Sequence, residues 1–299
     1  TYNGKINEIT FGTLDCSLSI TPEHPLYVLS NIDDEYNYVD IKNRLSNNIL
    51  QFEWKESKDL QNNDMVVFPI PQYIEDITSI SQEDCYIYGL MLGSGNYGNQ
   101  KDMRCSINIS KNNESSVKQK IIEYFSNKTI KTNLDYVGNN ISISWNKTVN
   151  LPFYYSDFYD SNNDKFINPR FLNLPVEKLV NILQGLLISS ENKFIINVGS
   201  ENLKDSLKFL CLRLGFIPCV TKKTSYKPLD IFGLYGKDYY EFRIPKTLDV
   251  FKILGLEIES QNEFETKNYF KYDSKLLVKV QGLKEKTYQG ILYDLQMNH

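Results

Sequence analysis

A chain of 299 residues with 41% hydrophobic and 13% aromatic residues carries enough apolar material for two cores, and 23% charged residues is ordinary for a globular protein. The formal net charge of −4 argues against a uniformly basic nucleic-acid binder, and no apolar run approaches the roughly 20 residues of a membrane span. Thr1–Thr10 lacks the pattern of a signal peptide, and five cysteines (Cys16, Cys85, Cys105, Cys211, Cys219) without metal-ligand spacing point to free thiols in a reducing, intracellular compartment.

In chain order, the first 80 residues read as short strands: TYNGKINEITFG, LDCSLSITPEHPLYVLS, ILQFEW and MVVFPIPQ. SNIDDEYN and LQNND punctuate them as turns, and no long amphipathic helix is expected there. From about residue 82 the pattern changes. Cys85–Gly93 is helical, CSINIS and ISISW are strands, and Ser116–Phe125 has helical spacing. A second round of similar order follows. Pro175–Ser189 is helical with a proline at its start, NKFIINVG is a strand, and Glu201–Leu214 is an amphipathic helix ending at Gly215. The strand YYEFRIP and a short helix, Thr247–Leu254, close this round, and KLLVKVQGLKEKTYQGILYDLQM returns to strands. The order, β, then two similar mixed halves, then β, is that of a β domain interrupted by an internally repeated one.

Charge follows the same division. Residues 81–250 hold 21 Lys+Arg against 17 Asp+Glu, whereas the remainder holds 12 against 20. A positive surplus gathered on one face steers toward phosphates; scattered over a solvated surface it steers nothing.

Two nine-residue stretches carry the strongest signal: IYGLMLGSG (Ile87–Gly95) and LQGLLISSE (Leu183–Glu191). Each is apolar, has a glycine in mid-run (Gly89, Gly185) and ends in small polar residues. They resemble the paired LAGLIDADG helices of homing endonucleases. The resemblance implies two helices packed face to face through those glycines, each delivering an acid from its C-terminal end to shared divalent metals. Ser94 and Ser190 stand where those acids belong. It therefore implies an endonuclease-like domain over residues 81–261 that has lost cleavage, since hard cations want carboxylate oxygens. Glu191 is the nearest remaining acid, one residue late and so about 100° round a helix. Mg²⁺ is expected only if cleavage survives. In this fold antiparallel sheets read the major groove of double-stranded DNA, which makes Lys111, Lys147, Lys222, Lys223 and Lys227 candidate DNA contacts. The same strands read equally well as solvated faces. Lys165 and Lys237 are candidates for the family's accessory basic positions.

The flanking β segments carry a second resemblance. SITPEHPLYV, WKESKDLQNNDMVVFPIP (Trp54–Pro71) and GILYDLQM (Gly290–Met297) resemble motifs of the intein (Hint) fold. These are T-x-x-H, W-x-x-A-x-D-L-x-x-G-D-x-V-x-x-P and a late Tyr-Asp strand. Splicing needs a protonated leaving nitrogen, which imidazole supplies near neutral pH, and a hydroxyl to hydrogen-bond the scissile carbonyl. The resemblance implies His24 as proton donor, Thr21 as its orienting partner and Asp294 assisting branching; His299, only five residues after Asp294, reads either as the His that polarises the last scissile carbonyl or as a residue of the loop before it. It implies no cofactor for splicing, a host extein polypeptide as partner, and a nucleophile and terminal Asn outside this sequence. A separate N-terminal intein fragment is thus a candidate partner.

The expected fold is α+β in two domains. A mostly-β Hint domain (1–80 and 262–299) is interrupted by a pseudo-two-fold LAGLIDADG domain of repeated αββαββα units (81–261). The expected function is autocatalytic protein splicing with an inactive endonuclease domain. Two alternatives stay open: an active site-specific DNA endonuclease, and a DNA-binding module without cleavage. No membrane partner is expected.

Overall fold

The computed structural model describes residues 1–299 except 34–35, 100–101, 111–113, 139, 149, 191–193, 230–232, 257–265, 267 and 294–299. The chain is mixed α/β and divides into two compact units: Thr1–Ile70 with Phe264–His299, and Pro71–Glu263.

The first unit opens with β1 (Tyr2–Phe11), β2 (Leu18–Ile20) and β3 (Pro25–Leu29). Helix α1 (Tyr38–Ser46) follows, then β4 (Phe52–Glu56), a 3-10 turn at Ser57–Asp59, and β5 (Met65–Pro69). Helix α1 falls where only turns and strands were expected. Asn37 caps it by accepting from the Asp40 amide, and Asp40 returns a bond to the Asn37 amide, a capping box written with a short acid. Ile41 and Leu45, four apart, then face one way and pack with Leu29, Leu50, Met65 and Leu277. Burying each such side chain contributes roughly 1.5–3 kcal/mol, which offsets the weak propensity of the Asp- and Asn-rich start.

The second unit begins with α2 (Gln82–Ser94), β6 (Gly95–Asn96), β7 (Arg104–Ser110), α3 (Glu114–Asn127), β8 (Asn133–Val137), β9 (Asn140–Asn146) and α4 (Tyr155–Phe158). After α5 (Pro169–Leu172) it continues with α6 (Val176–Ile188), β10 (Ile195–Val198), α7 (Glu201–Arg213), β11 (Cys219–Leu229), β12 (Gly233–Arg243) and α8 (Leu248–Leu254). The first half runs αββαββα. The second runs αβαββα among the described residues, one strand short of the expected repeat; residues 191–193, between α6 and β10, lie outside them. The two halves accordingly carry a four-stranded sheet, β6-β7-β9-β8, and a three-stranded sheet, β10-β12-β11.

The chain returns to the first unit with β13 (Tyr269–Tyr272) and β14 (Lys275–Gly290). β14 is long enough to pair with β1 along one half and with β5 and β13 along the other, giving a seven-stranded antiparallel sheet of order β2-β1-β14-β5-β3-β4.

Helix α2 is set by its own sequence. Ser81 accepts from the Asp84 amide at 3.0 Å while the Asp84 carboxylate accepts from the Ser81 amide at 2.8 Å, and every residue from Asp84 to Leu92 is buried. A helix apolar all round needs partners on every side. The segment after β9 supplies one of them: the Tyr88 ring stacks on Phe171 with centroids 3.9 Å apart, and its hydroxyl donates to the Asp157 carbonyl.

Candidate nucleic-acid interface and helix-pair site

Helices α2 and α6 meet through backbone. A methyl added to Gly89 would fall onto the Ile182 carbonyl oxygen and lie 3.1 Å from the Gly185 Cα. One added to Gly185 would fall onto the Tyr86 carbonyl and lie 2.8 Å from the Leu90 nitrogen. Only glycine lets two helices approach this closely. One turn further on, the same addition at Gly93 would strike the Ser189 hydroxyl, which is held by the Leu186 carbonyl at 2.6 Å.

Both helices end in hydroxyls. Ser94, the last residue of α2, is half-buried and donates to the Leu90 carbonyl at 3.5 Å. Ser190 follows the α6 cap residue Ser189, and its backbone amide donates to the Leu187 carbonyl at 3.1 Å. Glu191 lies outside the described residues.

The end of α2 has an occupant that spacing did not place. Lys165 donates from Nζ to the carbonyls of Met91 (2.9 Å), Leu92 (2.9 Å) and Gly95 (2.8 Å), satisfying acceptors that a helix C-terminus leaves open. Its backbone is fixed by an antiparallel bridge to Tyr159 and by the Ser200 hydroxyl, which donates to its carbonyl. Burial pushes the ammonium down to about 8, so it stays protonated at neutral pH, with its positive charge on the negative end of the helix.

Hydroxyls, backbone carbonyls and an ammonium do not fit a Mg²⁺ or Mn²⁺ ion, which takes carboxylate oxygens and repels a neighbouring cation. No group of three or more His, Cys, Asp or Glu placed to hold a metal occurs among the described residues.

The sheets offer polar faces. In β7 and β9 the buried side chains Cys105, Ile107, Ile141, Ile143 and Trp145 alternate with Arg104, Ser106, Asn108, Ser142 and Asn146, and register keeps the polar set on one face. β8 adds Asn133 and Asp135 to that face. Arg104 is committed there, 3.2 Å from Asp135 and 3.1 Å from the Ser144 hydroxyl. Asn108 donates to the Ser94 carbonyl at 3.4 Å, tying the sheet to the end of α2.

In the second sheet, Ile196, Val198 and Phe242 are buried on one face, where Tyr240 donates to Glu201 of α7. The opposite face carries Asn197, Thr221, Lys223, Glu241 and Arg243. Lys222 and Lys223 were candidates together, yet alternation along β11 sends them to opposite faces. Lys223 shares Glu241 (2.7 Å) with Arg243 (2.8 Å), and Lys222 pairs with Asp238 at 2.8 Å. Lys147, just past β9, lies over the Tyr97 ring at 5.2 Å. Lys227 and Lys237 have their backbones in β11 and β12, with side chains outside the described set; Lys111 lies outside it entirely.

In the first unit, Thr21 and His24 flank one turn. The His24 amide donates to the Thr21 carbonyl at 3.1 Å, with Thr21 half-buried and His24 exposed. The turn is clamped from the segment after β4. Ser57 donates from its amide to the His24 carbonyl (3.0 Å) and from its hydroxyl to the Thr21 carbonyl (2.8 Å), while the Lys58 amide donates to the Pro22 carbonyl (3.0 Å). The Asn7 side-chain amide donates to the buried Ser57 hydroxyl at 2.9 Å. Sequence reasoning missed Ser57 and Asn7; the available signal was that Ser57 stands where the motif carries Ala. Asn63 stands where the motif carries Gly and adopts the left-handed φ of 76° that the motif's glycine supplies without strain. Asp294 and His299 lie outside the described residues.

No family model matches the chain. An uncharacterized protein of Methanocaldococcus jannaschii, MJ0043, is 24% identical over 273 residues, covering 76% of this chain; the chain spans 33% of that relative's length. Among solved structures, full-length DUF199/WhiA from Thermatoga maritima overlaps 61% of this chain and 58% of its own, with 13% identity and a TM-score of 0.37. A variant of I-DmoI in complex with its target DNA and Mg overlaps 61% of this chain and 100% of its own, with 11% identity and a TM-score of 0.41. I-DmoI with DNA and Mn overlaps 60% and 99%, with 12% identity and a TM-score of 0.39.

Proposed function

We propose that the Pro71–Glu263 unit is a LAGLIDADG-type module that binds double-stranded DNA without cutting it. One observation carries this reading: Gly89 and Gly185 hold two helices in backbone contact, and the helix ends bring serines and a captive ammonium where metal-holding carboxylates would stand. The alternating polar faces of the adjoining sheets suit contact with a duplex, and cleavage chemistry has no ligand set to use among the described residues. The test is binding of the whole chain to a randomised duplex library at several salt concentrations, followed by incubation of the captured duplexes with Mg²⁺ and Mn²⁺. Retention that weakens steeply with salt, without strand scission, is the expected result. Site-specific cutting would overturn the non-cleaving claim, and no binding at low salt would overturn the DNA reading.

A second reading belongs to the other unit: the Thr21–His24 turn serves protein splicing with a host extein polypeptide as partner. What favours it is that the W-K-E-S-K-D-L stretch clamps the T-x-x-H turn, with Asn63, at the motif's glycine position, in the left-handed region that glycine adopts freely. Placing the chain between reporter exteins, with and without an added N-terminal intein segment, tests it; no ligated product with His24 intact would count against it. The five cysteines are unpaired, with Cys16 and Cys219 exposed, which fits the reducing intracellular setting both readings require.

A further inference from the structure

The polar face of the β7-β9-β8 sheet has an unusual chemistry for a surface expected to meet phosphates. Its side chains are almost all neutral. Asn108, Asn133, Asn140 and Asn146 are exposed and share the face with serines. Among the described residues of the face, the one guanidinium, Arg104, and the one carboxylate, Asp135, are paired with each other. Asn133 and Asn146 have no side-chain hydrogen bond to any described residue, and they line an open groove of ≈ 780 Å³ together with Arg104, Asp135 and Ser144.

Uncharged amides add little to non-specific affinity, which comes from neutralising phosphates. They are suited to base edges. A carboxamide presents one donor and one acceptor side by side, the complement of adenine's N7 acceptor and N6 donor in the major groove. Guanine presents two acceptors there and calls for a two-donor side chain such as Arg. Serine serves either base.

Resting on the DNA-binding reading, we infer that this face reads an A·T-rich segment of B-form duplex in the major groove, with Asn133 and Asn146 as the adenine-contacting, specificity-determining residues. Among the described residues of the face, Arg104 is the single side chain able to favour guanine, and it is engaged with Asp135 and Ser144. Strands rising about 3.4 Å per residue place successive same-face side chains about 6.8 Å apart, two base-pair steps, so the face reads separated positions along one groove.

The experiment uses the whole chain. Duplexes selected from a randomised library are sequenced, and affinity is then measured on a selected duplex, on the same duplex with every adenine replaced by 7-deazaadenine, and for Asn133→Ala and Asn146→Ala. The expected result is enrichment of A·T pairs over a contiguous segment. Loss of the N7 acceptor should weaken binding roughly 5- to 100-fold, and each variant should lose discrimination at one position while keeping its salt-dependent binding to random duplex. Selected sites without A·T enrichment, or an affinity indifferent to 7-deazaadenine, would overturn the inference while DNA binding stands. The 7-deazaadenine arm uses the unaltered protein, so it holds even if a variant folds poorly. Failure to bind any duplex at low salt would remove the underlying reading and this inference with it.

Discussion

Gly89 and Gly185 face each other so closely that a Cβ on the first would sit 3.1 Å from the Cα of the second. The atoms in the way are main chain, which cannot rotate aside. Gly89→Ala or Gly185→Ala should therefore cost about 2–4 kcal/mol, at or above the usual range for overpacking a core. Gly199 has nothing within 4 Å of an added methyl, so Gly199→Ala is the control and should stay within about 0.5 kcal/mol of the parent. Urea unfolding midpoints measure both, and equal midpoints for Gly89→Ala and Gly199→Ala would refute the close helix contact.

Lys165→Met should destabilise by about 3 kcal/mol at pH 7, because three carbonyls at the end of α2 lose a charged donor. The pH dependence gives a second readout. The folded ammonium titrates at about 8 and the unfolded one at 10.5, so between those values the unfolded chain holds more protons. Lys165 thus contributes a rise of stability with pH through that window, against the fall contributed by buried Tyr124, Cys85 and Cys211, so the margin of the parent over Lys165→Met should widen as pH rises. Chemical denaturation at pH 7.5, 9 and 10.5 distinguishes the two chains.

Asp84 supplies the acid counterpart. Burial pushes its carboxyl up, but bonds from the Tyr124 hydroxyl (2.6 Å), Ser81 and Lys128 outweigh burial and hold it below 3.8. A depressed carboxylate contributes stability above its unfolded value and loses it as pH falls through the folded one. Tyr124→Phe removes one donor and should cost about 1–2 kcal/mol near neutrality. It should also move the acid unfolding midpoint upward, as followed by far-ultraviolet circular dichroism; a midpoint left in place would contradict this account.

Ser57→Ala should destabilise by about 1–3 kcal/mol, since the Asn7 amide loses its acceptor and the Thr21 carbonyl loses a donor. Asn7 and Ser57 act on one network, so a double-mutant cycle with Asn7→Ala should give a coupling of about 0.5 kcal/mol or more. Strict additivity would show that the clamp is not shared.

What the sequence revealed depended on how local each cause was. Helices α2 and α6 lie where apolar runs and mid-run glycines put them, because complete burial leaves a composition that no loop shares. Helix α1 escaped because its start, DDEYNY, has the composition of a turn; the Asn37–Asp40 capping box and the Ile41–Leu45 spacing emerge only once the core they face is known. Lys222 and Lys223 were grouped by adjacency, whereas the strand assigns them by parity. Lys165 is separated from its acceptors by some seventy positions, and Ser57 from Asn7 by fifty; pairings that distant leave no periodic trace.

Lys165 also bears on how this molecule responds to its solvent. A helix terminus neutralised by a bound ion loosens when a chelator strips that ion away. Here the compensating cation is tethered to the polypeptide itself, so the bonds that Lys165 makes at the end of α2 do not depend on any ion that a chelator such as EDTA could remove.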